Sequence, residues 1–68
     1  MNNKEERRLI KLPTVMELTG LARPTIYLYI KKDKFPQCIK VGSSSFWEYN
    51  EIQQWIADQI NNRNQLNR

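Results

Sequence analysis

Arg23, Thr25, Tyr27, Leu28 and Lys31 fall within nine consecutive residues and bring together a fork of donors, a hydroxyl, a phenol, an aliphatic group and an ammonium. These types suit phosphate oxygens and base edges. A guanidinium at Arg23 can contact a phosphate or the paired acceptors of a guanine, and Lys31 can contact a phosphate. Thr25 reads equally as a phosphate donor or as a helix cap. Tyr27 reads as a base or phosphate contact, or as a ring packed on a neighbouring element with only its hydroxyl exposed. Leu28 is the odd member. It is either an ordinary exposed leucine or an apolar contact to a thymine methyl. Lys32 and Lys34 add charge that suits phosphates without reading sequence. A second polar group follows at Lys40 and Ser43, Ser44 and Ser45, where small hydroxyls can approach a backbone closely or merely serve a polar turn.

Other chemistries lack their parts. The chain has no histidine, one cysteine and two glycines. A tetrahedral zinc site has no ligand set, and Ser-His or Cys-His nucleophile pairs are impossible. A Gly-rich phosphate loop is absent. Glu48 and Glu51 read as solvated surface rather than an acid-base pair. The expectation is a protein without catalytic residues, cofactor or metal.

The elements that must position the donors follow from local signals. Residues 1–8 are polar and read as a mobile arm. Pro13 suits the first turn of a helix over 13–19, and Gly20 ends it. Leu21 and Ala22 make a tight link, and Pro24 opens a second helix over 24–32. β-branched and aromatic residues favour a strand there, but the i, i+4 spacing of Ile26 and Ile30 and the short link favour a helix. Residues 33–36 break it. Residues 38–41 and Phe46-Trp47 read as a hairpin around a turn at 42–45. Ile52, Trp55, Ile56 and Ile60 lie at i, i+3, i+4 and i+8 of a final amphipathic helix that begins near residues 48–50. It is expected to fray over 61–68. Trp47, Trp55 and Cys38 read as packing residues. The fold class is mainly α with a small β-hairpin, a winged helix-turn-helix domain at 9–60.

At 68 residues with a net charge of +4, the chain has room for one core, and its seven aromatic rings fill a small core efficiently. The charge suits a polyanion but is weak evidence alone. A lone cysteine, no apolar run long enough to span a bilayer and a charged N-terminal stretch unlike a signal peptide make cytoplasm the expected compartment.

The run Leu-Pro-Thr-Val-Met-Glu-Leu-Thr-Gly-Leu-Ala-Arg-Pro-Thr-Ile-Tyr (12–27) is followed by Phe-Pro (35–36), Lys-Val-Gly-Ser (40–43), Trp47 and Trp55-Ile56. In that order and spacing it resembles the AlpA family of phage and prophage regulators over roughly residues 9–60. The resemblance implies a MerR-like winged-helix DNA-binding domain, in a family with small activators and excisionases. Ala22 stands where relatives often have Ser, Leu28 where they are often polar or basic, and Ser44 or Ser45 where they often carry Arg.

The resulting expectation is a sequence-specific transcriptional regulator of a phage or prophage-like element. It would act by occupying double-stranded DNA, as a monomer or with further copies on repeated sites, with integrase or RNA polymerase as further partners and no membrane. One alternative is an excisionase bending DNA for an integrase. An alternative of another class is a protein-interaction module that inhibits a regulator, suggested by Leu28 and the reduced wing charge.

Overall fold

The computed structural model describes residues 6–66, with side chains through residue 63. The elements are β1 (Leu9–Ile10), α1 (Leu12–Thr19), α2 (Arg23–Lys31), β2 (Ile39–Val41), β3 (Ser44–Glu48) and α3 (Tyr49–Leu66). Three helices and a small antiparallel sheet give the expected mainly α architecture, consistent with a winged helix-turn-helix. One strand was not expected. β1 pairs with β3, Leu9 opposite Glu48 and Ile10 opposite Trp47, so the hairpin becomes a sheet of order β1-β3-β2. Two residues are too short a stretch to show a strand's alternation.

The helix ends follow their sequence signals. Pro13 and Pro24 lie in the first turns of α1 and α2. Gly20 adopts φ +76° and donates its N–H to the Met16 carbonyl, closing α1 in the left-handed geometry that glycine takes without strain. The Thr19 hydroxyl donates to the Val15 carbonyl at 2.8 Å and accepts the Leu21 N–H at 3.2 Å, which fixes the link to α2. α2 ends without glycine. Asp33 takes φ +64°, with its N–H on the Ile30 carbonyl (3.0 Å) and the Lys34 N–H on the Tyr29 carbonyl (2.8 Å). That pair of bonds is a Schellman closure, and Asp is among the residues that tolerate the conformation.

Every element except β2, whose three residues are exposed, contributes to one core. Ile10, Leu12, Val15, Ile26, Trp47 and Ile52 are buried there, joined by Phe35 from the segment after α2. Trp55 and Ile56 pack against this core as their spacing predicts, whereas Ile60 is exposed. Both tryptophans donate outward from the core. Trp47 Nε1 reaches the Pro36 carbonyl (3.2 Å) and Trp55 Nε1 the Lys34 carbonyl (2.8 Å), so β3 and α3 together fix the segment that follows α2. α3 continues as helix through Leu66, past the point where composition suggested fraying; residues 67–68 lie outside the described part.

Residues 6–8, at the end of the stretch read as an arm, are attached to the fold, and Glu48 is the reason. Instead of a solvated carboxylate it is only 5% exposed. Its Oε2 accepts the Arg8 N–H (3.3 Å), its Oε1 accepts the Glu51 N–H (3.2 Å), and Arg7 lies 3.4 Å away. It therefore caps α3 and ties residues 7–8 to the fold. The Tyr49 N–H on the Arg8 carbonyl, the Arg8 guanidinium 4.5 Å from the Tyr49 ring centre and the Asn50 amide on the Glu6 carbonyl add to that attachment. Residues 1–5 lie outside the described part.

Burial pushes the Glu48 carboxyl up, but backbone N–H groups of Arg8, Asn50 and Glu51, with the Arg7 charge, outweigh it and hold it below the ordinary carboxylate value. The covering layer is thin, since Arg7 is itself 73% exposed, so salt weakens that charge's share. A lowered folded value means that Glu48 stabilises the fold above the unfolded carboxylate's range and loses this contribution as pH falls through the folded one. Thermal melts between pH 7 and pH 3 should therefore show a smaller acid-induced fall in Tm for Glu48→Gln than for the parent. Parallel curves would contradict this role.

Candidate nucleic-acid interface

Ile26 turns one side of α2 into the core, with Tyr29 and Ile30 packed beside it. The opposite side carries Pro24, Tyr27, Leu28 and Lys31 at i, i+3, i+4 and i+7, all exposed. The helix period thus gives α2 two apolar-containing stripes, and only one is used by the fold. Tyr27 is 43% and Leu28 46% exposed, so a large part of each side chain is open to a partner. Arg23 is the exposed first residue of α2, Lys31 its last, and Lys32 follows as the C-terminal cap. Thr25 is half-buried on a different side and is only partly available.

The start of α2 is open. Ala22 occupies the capping position in extended conformation and has no side-chain acceptor for the first-turn N–H groups. No acidic residue lies in that turn. The helix dipole and the unpaired Arg23 and Thr25 N–H groups therefore favour an anionic oxygen there. The sequence signal for these backbone donors is Ala22 at a position where Ser, Thr, Asp or Asn would cap the helix.

The wing is tighter than the sequence suggested. The turn is Gly42-Ser43, with Val41 opposite Ser44, Lys40 opposite Ser45 and Ile39 opposite Phe46. Gly42 has φ +63° at the first central position, the geometry of a two-residue hairpin turn that accepts glycine there. Only Ser43 of the three serines is exposed at the tip; Ser44 and Ser45 belong to β3 and are half-buried. Register also decides where Lys40 lies. Alternation places Ser45 on the face of β3 that carries the buried Trp47, so its partner Lys40 extends from the helix side of the sheet. Ile39, Val41 and Phe46 occupy the other face, with the Lys11 ammonium 5.6 Å from the Phe46 ring centre. The structure thus gathers Arg23, Tyr27, Leu28 and Lys31 on α2 and pairs Lys40 with Ser45 on the hairpin.

Among the described residues, no group of His, Cys, Asp and Glu is placed to hold a metal ion, and no helix is long and apolar enough to cross a membrane. Cys38 is half-buried against the core.

Comparison with known proteins places this arrangement. The family model described as prophage CP4-57 regulatory protein (AlpA) matches residues 8–60. The ORF88 protein of Enterobacteria phage P4 is 37% identical over 59 residues, covering 85% of this chain and 67% of the phage protein. The DNA-binding transcriptional activator AlpA of Escherichia coli (strain K12) is 34% identical over 64 residues, covering 84% of this chain and 91% of its own length. No solved structure gives a significant match. The family match spans nearly every element described above, from the start of β1 into α3, and the chain belongs to the AlpA family of prophage regulatory proteins.

Proposed function

We propose that the chain is a sequence-specific DNA-binding transcriptional regulator of a phage or prophage-like element. The reading rests chiefly on the outward face of α2, where an open helix start, Arg23, Tyr27, Leu28 and Lys31 share a surface that the fold leaves unused. α2 would enter the major groove with its N-terminal residues toward the bases. Thr25 would meet a phosphate from the helix side, and Lys32 would neutralise another. Lys40 and Ser43 would rest on the adjacent backbone or minor groove, with Ser44 and Ser45 supporting them. No step of chemistry is required; occupancy of a site recruits or blocks polymerase. The AlpA relative's description as a DNA-binding transcriptional activator supports the reading.

A single module covers only about 600–1,000 Å² of interface. Useful specificity therefore calls for several copies on repeated sites or for a partner such as integrase or RNA polymerase. An excisionase would use the same DNA-facing surface, and assays of excision beside promoter reporters separate the two roles. The exposure of Leu28 favours one further reading, a module that docks on another regulator. Selection of bound sequences from random DNA, then footprinting at several protein concentrations, tests the proposal; recovery of no preferred sequence would sink it.

Salt dependence gives an independent measurement. Neutralisation of about five phosphates predicts a slope of log K against log salt near −4.5. Fluorescence anisotropy on the selected site, from 50 to 300 mM salt, reads it (an assay range on the order used to define such slopes). A flat response would mean that cations do not carry the contact.

A further inference from the structure

A second surface shares no residue with α2's outward stripe or with the Gly42-Ser43 turn. It is an open groove of about 680 Å³ between the 33–39 segment and α3. Its floor is apolar. Phe35 and Trp55 meet edge to face with ring centres 4.8 Å apart, and Ile39 continues the floor. The Trp55 indole is held by its bond to the Lys34 carbonyl and Phe35 is buried, so this floor is set before anything binds.

The rim has a different character. Asp33, Glu51 and Asp58 line it, three of the chain's seven acidic residues, and no Lys or Arg does so among the described residues, in a protein of net charge +4. The closure of α2 fixes the backbone at Asp33, the Glu48 cap fixes that at Glu51, and the Asp58 carboxylate accepts the Gln54 amide at 3.0 Å. The size is within the range of small-ligand sites, about 300–1,000 Å³, but the groove is open rather than enclosing. That shape suits a length of chain. Its sign rejects nucleic acid and anionic lipid, both of which suit the rest of the molecule's charge.

We propose that this groove docks a short segment of a partner protein in which a bulky apolar residue is flanked by Lys or Arg. The apolar anchor would lie on Trp55, Phe35 and Ile39. The flanking cations would pair with Asp33, Glu51 and Asp58, with Arg able to engage a carboxylate through two N–H groups. Electrostatic complementarity then supplies selectivity, and the buried ring surface supplies most of the affinity.

The test uses the full chain and random dodecapeptides displayed on phage; the recovered peptides are synthesised and titrated into ¹⁵N-labelled protein. Recovered sequences should place Lys or Arg beside Trp, Phe or Leu. Amide shifts should concentrate at Gln37, Cys38, Gln54 and Asp58. Asp33→Asn combined with Asp58→Asn should weaken binding roughly tenfold or more without altering the melting temperature, since Asn accepts the backbone conformation at position 33. The proposal is overturned if no peptide is recovered, if recovered peptides lack basic residues, if shifts fall at Tyr27 and Lys31, or if the double variant binds equally well. It is also overturned if the groove amides shift on dilution of the protein alone, which would make a second copy the occupant.

Discussion

Reversing charge at both ends of α2, with Arg23→Glu and Lys31→Glu together, is expected to reduce affinity for the selected DNA site by about a thousandfold or more, down to the non-specific level. Each replacement removes a cation and introduces repulsion at the helix face proposed to meet phosphates. Arg23 lies beside the open first-turn N–H groups, where a carboxylate would also occupy the anion-binding position itself. Both side chains are exposed, so the melting temperature should hardly change. Arg23→Ala alone should cost about 1–3 kcal/mol and relax preference at one base position if it reads a guanine; a uniform loss across sequences would assign it to a phosphate. Anisotropy titrations of folded variants decide the matter. Retained affinity in the double variant would move the DNA surface away from α2.

The second large effect concerns folding. Trp47→Ala should remove about a third or more of the chain's stability and sharply lower its melting temperature. Trp47 has no exposed surface, and truncating a buried ring of this kind costs about 3–5 kcal/mol. A chain of this length has only about 3–10 kcal/mol in total. The loss is larger than volume alone implies, because the Pro36 carbonyl forfeits its donor as well. Trp47→Phe keeps most of the ring and should lower the melting temperature less. Far-UV circular dichroism with thermal melts separates the outcomes, and a Trp47→Ala transition at the parent's melting temperature would show that the core does not depend on this residue.

Much of this architecture was legible in the residues. Pro13, Gly20 and Pro24 bracket the two helices because each imposes a local backbone constraint that tertiary contacts did not overrule. The spacing of Ile26 and Ile30 correctly outweighed the strand propensity of their neighbours. What escaped the sequence depended on distant partners. Glu48 looks like any surface carboxylate until the Arg8 and Glu51 N–H groups are brought to it, and Leu9–Ile10 becomes a strand only because β3 offers an edge. Ser44 and Ser45 read as turn residues because polar runs read as loops; cross-strand register puts them in β3. On α2, the residue types named the candidate face. Sequence could not show how much of Tyr27 and Leu28 stays exposed, or on which side of the hairpin Lys40 would fall.

The pairing of β1 with β3 also sets an order of events during synthesis. Arg8 and Glu48 are 40 residues apart, so the first strand has no partner when it is made. At roughly 5–20 residues per second, that interval lasts about 2–8 s. Both helices of the helix-turn-helix are complete well before then, yet the core that buries Val15 and Ile26 lacks Trp47 and Ile52 until those residues are made. Synthesis as far as the end of α2 yields the helix proposed to meet DNA with only α1 and Ile10 to pack on it. The fold that presents α2 therefore closes only after the strand that carries Trp47 and the helix that carries Ile52 have been made.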